Sequence, residues 1–289
     1  MELLRIILNS WQLNIIGAVI FSVLYVQSYK LAVKDTEKEG EATIILELSG
    51  AVGALLLAPF FAFKFSLTPK IGLLFVLANI FYALNDRLKT IGRKHLEVSI
   101  FSIVDQLTKV FMIAYGIILF DNPIIPTKLI GAALIIGGNV ALFYRQNKFR
   151  FNKYIALTIL AAFLAATALI IDADISKDFN LPFYIALTLI IPALFNYIFI
   201  RRPVKDIINE FNSKRRGYYI FCGLVTGPML FFIIRSLQLG QIAITAPLLA
   251  TSVLLNVLAA SIIHKEKSGL FRKIIVALII IAGVYLTTA

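Results

Sequence analysis

The stretch LPFYIALTLIIPALFNYIFI, residues 181–200, runs for twenty residues without a charged side chain. A helix needs ~20 predominantly apolar residues to cross a bilayer, because the hydrocarbon core is ~30 Å thick and each residue rises ~1.5 Å. This stretch therefore predicts a transmembrane helix. Nine other segments of similar length and apolarity follow one another with little sequence between them: 13–32, 42–63, 70–90, 96–119, 127–144, 154–175, 217–237, 241–263 and 270–288.

The composition agrees with a chain embedded in lipid. Of the 289 residues, 60% are hydrophobic, whereas soluble domains use ~45–50%. The net charge of +12 comes mainly from Lys and Arg in the short connections. Basic residues beside a membrane orient the protein and contact anionic lipid headgroups, so the charge does not require nucleic acid. We expect the lipid bilayer and a small-molecule substrate as partners and no nucleic acid. The oligomeric state stays open, with a homodimer as one alternative.

The two halves of the chain resemble each other. RLKTIG at 87–92 returns as RSLQLG at 235–240, and KLIGAALII at 128–136 is similar to RKIIVALII at 272–280. A copy with five spanning segments crosses the membrane an odd number of times, so the second copy enters from the opposite side. Such inverted repeats occur in many secondary transporters, with the substrate site between the halves near the midplane.

The sequence thus predicts an all-α integral membrane protein, with ten transmembrane helices arranged as two inverted five-helix repeats. The first repeat covers residues 1–146 and the second covers residues 147–289. Because the join is a short basic connection and not a flexible linker, we expect one integrated body.

Both repeats also end alike, with LIGAALIIGG at 129–138 and IVALIIIAGV at 275–284. Together with the five-plus-five plan and the Arg/Lys-flanked turns into segments four and nine, these endings resemble the ten-helix drug/metabolite transporter superfamily, particularly its EamA-domain type. The second copy departs from that pattern, because Ile275 stands where a glycine is usual and HKEK at 264–267 replaces a Gly-Glu-Arg. The resemblance implies a transporter fold, and it does not name the substrate.

The direction of the chain through the membrane has two alternatives. The family is generally drawn with both termini in the cytoplasm. In this sequence, however, twenty Lys and Arg residues lie in the odd-numbered connections or at the segment ends beside them, whereas five, Arg5, Lys64, Lys70, Lys128 and Lys177, are assigned to the N-terminus and the even-numbered connections. The positive-inside rule then places the odd-numbered connections in the cytoplasm and both termini outside.

The clearest polar stripe inside the predicted spans lies on the fourth segment. Ser99, Ser102, Asp105, Gln106 and Lys109 fall within a third of the helix circumference, with Asp105 and Lys109 one turn apart. An ionisable group in the bilayer core costs about 2.5–3.5 kcal/mol, so such groups face protein or a wet cavity. The stripe is either a cavity wall that binds substrate or an Asp–Lys pair that neutralises itself inside the bundle.

Polar residues on other segments are candidates for the same site. They are Tyr25 on the first segment, Asn79 on the third, and Ser252 and Asn256 on the ninth. Either they line the substrate cavity or they form hydrogen bonds between helices, which contribute only ~0.6 kcal/mol each. Asp86, which is followed by basic residues, is expected in a surface ion pair.

Two further ionisable residues have a functional and a structural interpretation. Glu47 shares a face with Gly50, Ala51 and Ala54, a small-residue pattern that lets two helices approach closely. It is our candidate for the coupling-ion site, and the alternative is a protonated or paired residue in a packing seam. Arg235 either binds an anionic substrate or extends its side chain to the membrane interface.

The sequence offers no residues for catalysis or for a metal site. His95 and His264 lie at segment ends without Cys or carboxylates at ligand spacing, and no Gly-Lys-Ser/Thr phosphate loop occurs. We therefore predict no enzyme activity, no cofactor and no metal ion. The predicted function is a secondary transporter, an exporter or exchanger in the plasma or inner membrane, that moves a small polar or amphipathic metabolite by alternating access. The alternatives are a carrier of phosphorylated or nucleotide-linked sugars and a non-transporting, lipid-handling membrane protein.

Overall fold

A computed structural model defines how the helices are arranged. It describes residues 10–61, 63–64, 68–108, 110–111, 114–115, 125–145, 148–149, 151–176, 179–239, 248–249 and 251–288. The helices in these ranges are α1 (Trp11–Val33), α2 (Glu39–Leu55), α3 (Pro69–His95), α4 (Val98–Val104), α5 (Pro126–Phe143), α6 (Lys153–Ile175), α7 (Leu181–Ile200), α8 (Val204–Phe211), α9 (Arg216–Leu239), α10 (Ser252–Ile263) and α11 (Leu270–Thr288). A 3₁₀ turn, Ala58–Phe60, follows α2, and β1 (Tyr144–Arg145) pairs antiparallel with β2 (Lys148–Phe149).

Five described stretches are long and apolar enough to cross a membrane. They are Trp11–Val33, Glu39–Phe60, Pro69–His95, Leu181–Ile200 and Arg216–Ser236, and shorter apolar helices cover Pro126–Gly138, Lys153–Leu169 and Ser252–Ile263. Large apolar side chains cover the outer surface, such as Leu73 at 72% and Ile262 at 77% exposure. A surface of this kind suits lipid and not water. The predicted all-α membrane architecture is confirmed at this level, and the count of ten spans stays a prediction.

Capping residues mark where several spans begin. Ser10, Thr68 and Asn180 each accept a hydrogen bond from the backbone N–H three residues later, at the starts of α1, α3 and α7. Each bond satisfies one of the amides that a helix leaves without an internal partner. Pro69 and Pro182 lie in first turns, where the missing N–H costs nothing. The sequence therefore supplies both a start signal and an apolar run for these helices.

The fourth segment is not one continuous helix. The sequence predicts a helix over residues 96–119, but α4 ends at Val104. The amide of Gln106 then bonds the carbonyl of Ile103, and a second three-residue step starts at Asp105. These steps tighten the backbone relative to the four-residue steps of an α-helix. The prediction of a single helix is therefore wrong at Asp105, and the polar stripe does not follow one straight helix face beyond it.

Two other elements differ from the predicted boundaries. The third span was expected to end at residue 90, whereas α3 continues to His95. The connection between α7 and α9 contains α8, which the sequence analysis did not predict. Ile207 and Phe211 of α8 pack against a buried cluster at the end of α1, while Val204 and Ile208 remain 53% and 52% exposed. A short amphipathic helix with exposed apolar residues suits the membrane interface.

Helices of the first half pack mainly against helices of the second half. In the first half, α1 contacts α9 and α10, α2 contacts α7 and α9, and α3 contacts α6 and α7. In addition, α4 contacts α10 and α5 contacts α11. The largest helix contacts therefore join residues that are far apart in sequence.

Glycines let α2 and α9 meet backbone to backbone. A Cβ atom on Gly53 would lie 2.4 Å from the carbonyl oxygen of Gly223, and one on Gly227 would lie 2.2 Å from the amide nitrogen of Ala54. Both distances are shorter than van der Waals contact, so only glycine fits at these positions. The small-residue face predicted on the second segment faces this seam.

Candidate functional site

An ion pair joins α3 to the turn after α4. Lys89 Nζ lies 3.0 Å from Asp105 Oδ1, and the two side chains are only 17% and 27% exposed. Charges this far into a span are costly, and a partner offsets part of that cost. The sequence analysis paired Asp105 with Lys109, which lies outside the described residues. The salt bridge that the structure describes for Asp105 comes from a neighbouring helix.

Two other predicted residues lie beside Asp105. Gln106 Nε2 is 3.4 Å from the carbonyl oxygen of Ser102. The Ser102 side chain is 6% exposed, and its hydroxyl has no hydrogen-bond partner within the described ranges. Buried hydroxyls are satisfied by protein, water or a ligand in nearly all proteins. The Ser102 hydroxyl is therefore available, within the described residues, to water or to a bound molecule.

Aromatic rings enclose Arg93, one turn beyond Lys89 on α3. The guanidinium carbon lies 4.1 Å from the ring centre of Tyr29, 4.7 Å from that of Tyr25 and 4.8 Å from that of Phe101. Nη1 donates a hydrogen bond to the Tyr25 hydroxyl at 2.7 Å, and the residue is 7% exposed. Cation–π contacts favour a guanidinium that is removed from water. Tyr25, predicted as a substrate-binding residue, is thus the hydrogen-bond acceptor of a buried arginine.

Two buried hydrogen bonds connect the halves. Gln27 Nε2 on α1 donates to Asn256 Oδ1 on α10 at 3.0 Å, and Asn196 Nδ2 on α7 donates to Glu47 Oε1 on α2 at 2.8 Å. None of these four residues is more than 4% exposed. Of the predicted site residues, Asn256 and Glu47 therefore lie at the contact between first-half and second-half helices.

The Glu47 carboxyl also lies close enough to the carboxyl of Asp86 on α3 for the two groups to interact electrostatically. Asn85 donates a further hydrogen bond to Asp86 at 2.8 Å. The expected surface ion pair for Asp86 is wrong, because α3 continues to His95 and leaves Asp86 about two and a half turns from the helix end. Two neighbouring carboxyl groups repel each other when both are charged, so their proximity favours a proton on one of them.

The remaining predicted residues make separate contacts. Asn79 and Ser252 each donate to a nearby backbone carbonyl, at 2.7 Å and 2.8 Å. Arg235 Nη1 lies 3.4 Å from the Gln238 side chain at an exposed position on α9. The structure therefore brings Ser102, Asp105 and Gln106 together, and it describes no direct contact between them and these three residues.

Charged residues of the second half hold the start of α4. Glu266 accepts hydrogen bonds from the backbone amides of Val98 at 2.7 Å and Ser99 at 3.2 Å, and from the Ser99 hydroxyl at 2.7 Å. Lys273 pairs with Glu97. A carboxylate at a helix N-terminus supplies acceptors that the helix lacks. We call this end of the molecule, formed by residues 34–38, 96–97, 201–215 and 264–269, the basic face.

A second cluster on the basic face surrounds Glu210 of α8. Its Oε1 accepts hydrogen bonds from Tyr219 at 2.7 Å, Arg215 at 2.8 Å and Thr36 at 3.0 Å. Burial alone would raise the pKa of Glu210, but these three donors outweigh it and hold the pKa below its ordinary value of 4.5. The carboxylate is therefore charged at neutral pH, and it links the first connection to α8 and α9.

Sequence reasoning missed Lys89, Arg93, Gln27 and Asn196. On α3 a signal was present, because Asn79, Asp86, Lys89 and Arg93 follow helical spacing. Because the predicted span ends at residue 90, Lys89 falls at its edge and Arg93 falls in the predicted connection. For Gln27 and Asn196, a single polar residue per helix carries no periodicity, so only the packing identifies them.

The described ranges contain no group of three or more His, Cys, Asp and Glu side chains that could hold a metal ion. Long apolar helices with buried polar contacts between them define a polytopic helical membrane protein. Residues 152–289 match the EamA-like transporter family. This match confirms the resemblance that the sequence analysis found. It indicates a membrane transporter of small solutes, a class that is generally not enzymatic. No curated protein matches the chain.

Proposed function

We propose that this protein is a secondary transporter, an exporter or exchanger in the plasma or inner membrane. It moves a small polar or amphipathic metabolite by alternating access. The observation that carries the proposal is the pair of buried bonds between the halves, Gln27 to Asn256 and Glu47 to Asn196. Polar groups are costly inside a span and concentrate along transport paths. These four side chains lie where the halves must separate for a site to open.

We infer that the two halves, residues 1–146 and 147–289, are inverted repeats. Such a repeat would map α1 onto α6, α2 onto α7, α3 onto α9, α4 onto α10 and α5 onto α11. The repeat would exchange the α1–α9 contact with the α6–α3 contact, and the α2–α9 contact with the α7–α3 contact. All four contacts are present, so the packing is consistent with this exchange. The contacts α2–α7, α4–α10 and α5–α11 map onto themselves. An exchange of this kind supports a pseudo-two-fold axis in the membrane plane, and many carriers have such an axis.

For substrate binding we propose the region around Asp105, Gln106, Ser102 and Asn256. The ion pair between Lys89 and Asp105 supports a polar substrate, because a charged substrate group can replace either internal partner. The Ser102 hydroxyl, which has no hydrogen-bond partner among the described residues, supplies a hydrogen-bonding group beside it. The further binding residues predicted from the sequence, which are Lys109, Ser252, Asn79, Tyr25 and Arg235, stay predictions.

We propose Glu47 as the residue that carries the coupling proton. Its carboxyl lies near that of Asp86, an arrangement that favours one proton on the pair, and Asn196 donates a hydrogen bond to the Glu47 side chain from the other half. Separation of the halves would remove the Asn196 hydrogen bond and change the proton affinity of the pair. Proton release would then accompany the conformational change.

The experiment is a solute screen with the purified full chain. Thermal stabilisation finds solutes that bind the folded protein, using amino acids, amines, sugar phosphates and nucleotide sugars. Solutes that stabilise are then tested for flux into proteoliposomes, with Asp105→Asn as the variant. We expect flux that depends on Asp105. Stabilisation by sugar phosphates or nucleotide sugars alone would favour the sugar carrier, and the absence of flux under any gradient would favour a lipid-handling protein and overturn the proposal.

A further inference from the structure

A groove on the outer surface runs between α1, α9 and the end of α10. It has a volume of about 550 Å³, and apolar residues form most of its wall. Leu24, Tyr218, Phe221 and Ile263 line it and are between 40% and 51% exposed. Because α1 and α9 are candidate membrane spans, these exposed walls face lipid. The groove therefore opens sideways into the bilayer.

The groove has the depth of one leaflet. On α1 its lining extends from Val23 to Leu31, which is ~12 Å along a helix. One leaflet contributes about half of the ~30 Å hydrocarbon thickness. Leu31 lies two residues before the end of α1, and Lys214 lies two residues before the start of α9. The groove thus begins at the basic face and follows the path of an acyl chain toward the midplane.

The rim of the groove carries positive charge. Lys214 lines it and is exposed, and it belongs to the connection that also holds Arg201, Arg202, Lys205 and Arg215. In the same connection, α8 exposes apolar residues of the kind found at membrane interfaces. Clusters of basic residues just outside a span attract anionic lipid headgroups. The charge and the apolar wall therefore match the two ends of one molecule.

We propose that this groove binds one anionic phospholipid, with its phosphate beside Lys214 and one acyl chain along Leu24 and Phe221. The apolar wall offers few hydrogen-bond partners to water, whereas a hydrocarbon chain can occupy the groove without losing any hydrogen bonds. Gln27 also lines the groove, and it is hydrogen-bonded to Asn256. The bound lipid would therefore lie next to the hydrogen bond between Gln27 and Asn256, which joins the two halves. The proposal is independent of the transported solute.

Two positions allow a sharp test. A Cβ atom on Gly217, which lines the groove, meets nothing within 4 Å, so Gly217→Phe fills the groove without moving the backbone. Gly137 on α5 is equally open and lies elsewhere on the apolar surface, so Gly137→Phe is the matched control. Lys214→Glu reverses the charge at the rim. Its control is Lys153→Glu, at the basic-face end of α6, which packs on α3 and not on the groove.

The measurement is native mass spectrometry of the full chain in detergent, with phosphatidylglycerol or phosphatidylcholine added. We expect one phosphatidylglycerol to be retained more tightly than phosphatidylcholine. Lys214→Glu should reduce this preference about five-fold. Gly217→Phe should lose the retained lipid, and both controls should behave as the wild type. Thermal unfolding of each variant verifies folding.

Three results would overturn the proposal. Undiminished lipid retention by Gly217→Phe would exclude the groove as the site. An unchanged preference in Lys214→Glu would exclude the headgroup contact. If the wild type retains no lipid while Gly217→Phe abolishes solute flux, the groove belongs to the transport path instead.

Discussion

Asp105 illustrates, at the scale of single residues, how the bundle holds a charge. A salt bridge joins it to Lys89 of another helix at 3.0 Å, and the Asp105–Lys109 pair expected from helical spacing stays a prediction, because Lys109 lies outside the described residues. Spacing identifies neighbours on one helix, and it cannot identify a residue that packing brings from another. The turn at Asp105 is a second reason, because residues before and after it no longer lie on one straight helix face.

Removing Lys89 should therefore remove the ion pair that the structure describes for Asp105. We expect Lys89→Met to lower the free energy of unfolding by about 3 kcal/mol, the low end for a buried pair, because both side chains keep some exposure. Asp105→Asn should reduce transport more than stability, since the amide retains the shape and hydrogen bonding. The double variant Lys89→Met/Asp105→Leu should recover stability without recovering transport. The matched variant is Lys109→Met. All variants are measured by thermal unfolding and by flux. The assignment is contradicted if these measurements couple Asp105 to Lys109 and not to Lys89.

Glu210 predicts a pH dependence. Because its pKa is lower in the folded protein than in the unfolded chain, the carboxylate stabilises the fold at pH values above its ordinary pKa. This contribution is lost as the pH falls through the lower, folded-state pKa. We expect Glu210→Gln to be less stable than the wild type by about 1–2 kcal/mol at neutral pH. The difference should disappear on acidification, in thermal unfolding followed from neutral pH downward. A difference that does not change with pH would contradict this assignment.

At the scale of elements, the contact of α2 with α9 depends on glycine. Gly53→Val would place side-chain atoms against the backbone of Gly223, where a Cβ already lies 2.4 Å from the carbonyl oxygen. We expect a loss of at least about 3 kcal/mol, because backbone cannot move aside as a side chain can. Gly137→Val, on the open surface of α5, should be nearly neutral. Equal melting temperatures of the two variants would contradict the close approach.

The elements also show why some boundaries could be predicted. Ser10, Thr68 and Asn180 precede long apolar runs, so start signals and hydropathy agree on α1, α3 and α7. The end of α3 could not be read in the same way, because Arg93 and Lys94 look like a connection. In the structure, aromatic rings hold Arg93, and Lys30 donates to the carbonyl oxygens of Arg93, Lys94 and Leu96 at 2.7–2.8 Å. These partners come from other helices and lengthen α3.

At the scale of the whole molecule, the distribution of charge predicts the orientation. The odd-numbered connections carry most of the Lys and Arg residues, so they should lie in the cytoplasm and both termini should lie outside. A C-terminal reporter that is active only in the cytoplasm should therefore be silent, and the same reporter inserted between residues 212 and 213 should be active. A bright C-terminal fusion would reverse the orientation.

Alternating access predicts that the basic face must open. Thr36 and Glu210, from opposite halves, are in contact at 3.0 Å. A short thiol-specific cross-linker between Thr36→Cys and Glu210→Cys, in a Cys222→Ala background, should stop flux, and cleaving the linker should restore it. Each single-cysteine variant serves as the control for modification alone. Full flux after complete cross-linking would contradict an opening at this face.

The sequence by itself determined that this protein is embedded in lipid, that it is helical and where α1, α3 and α7 begin, and it indicated the resemblance to EamA-like transporters, since hydropathy, helix caps and closing motifs are local properties of the chain. It also indicated Asp105, Asn256 and Glu47, because a polar residue inside an apolar run is visible without a fold. The tertiary structure alone decided their partners, which are Lys89, Gln27, Asn196 and Asp86, and it placed the groove beside Lys214. Each of these arrangements joins separate helices, and in a membrane such contacts are chosen by close packing and interhelical hydrogen bonds, which leave no periodic trace in one chain.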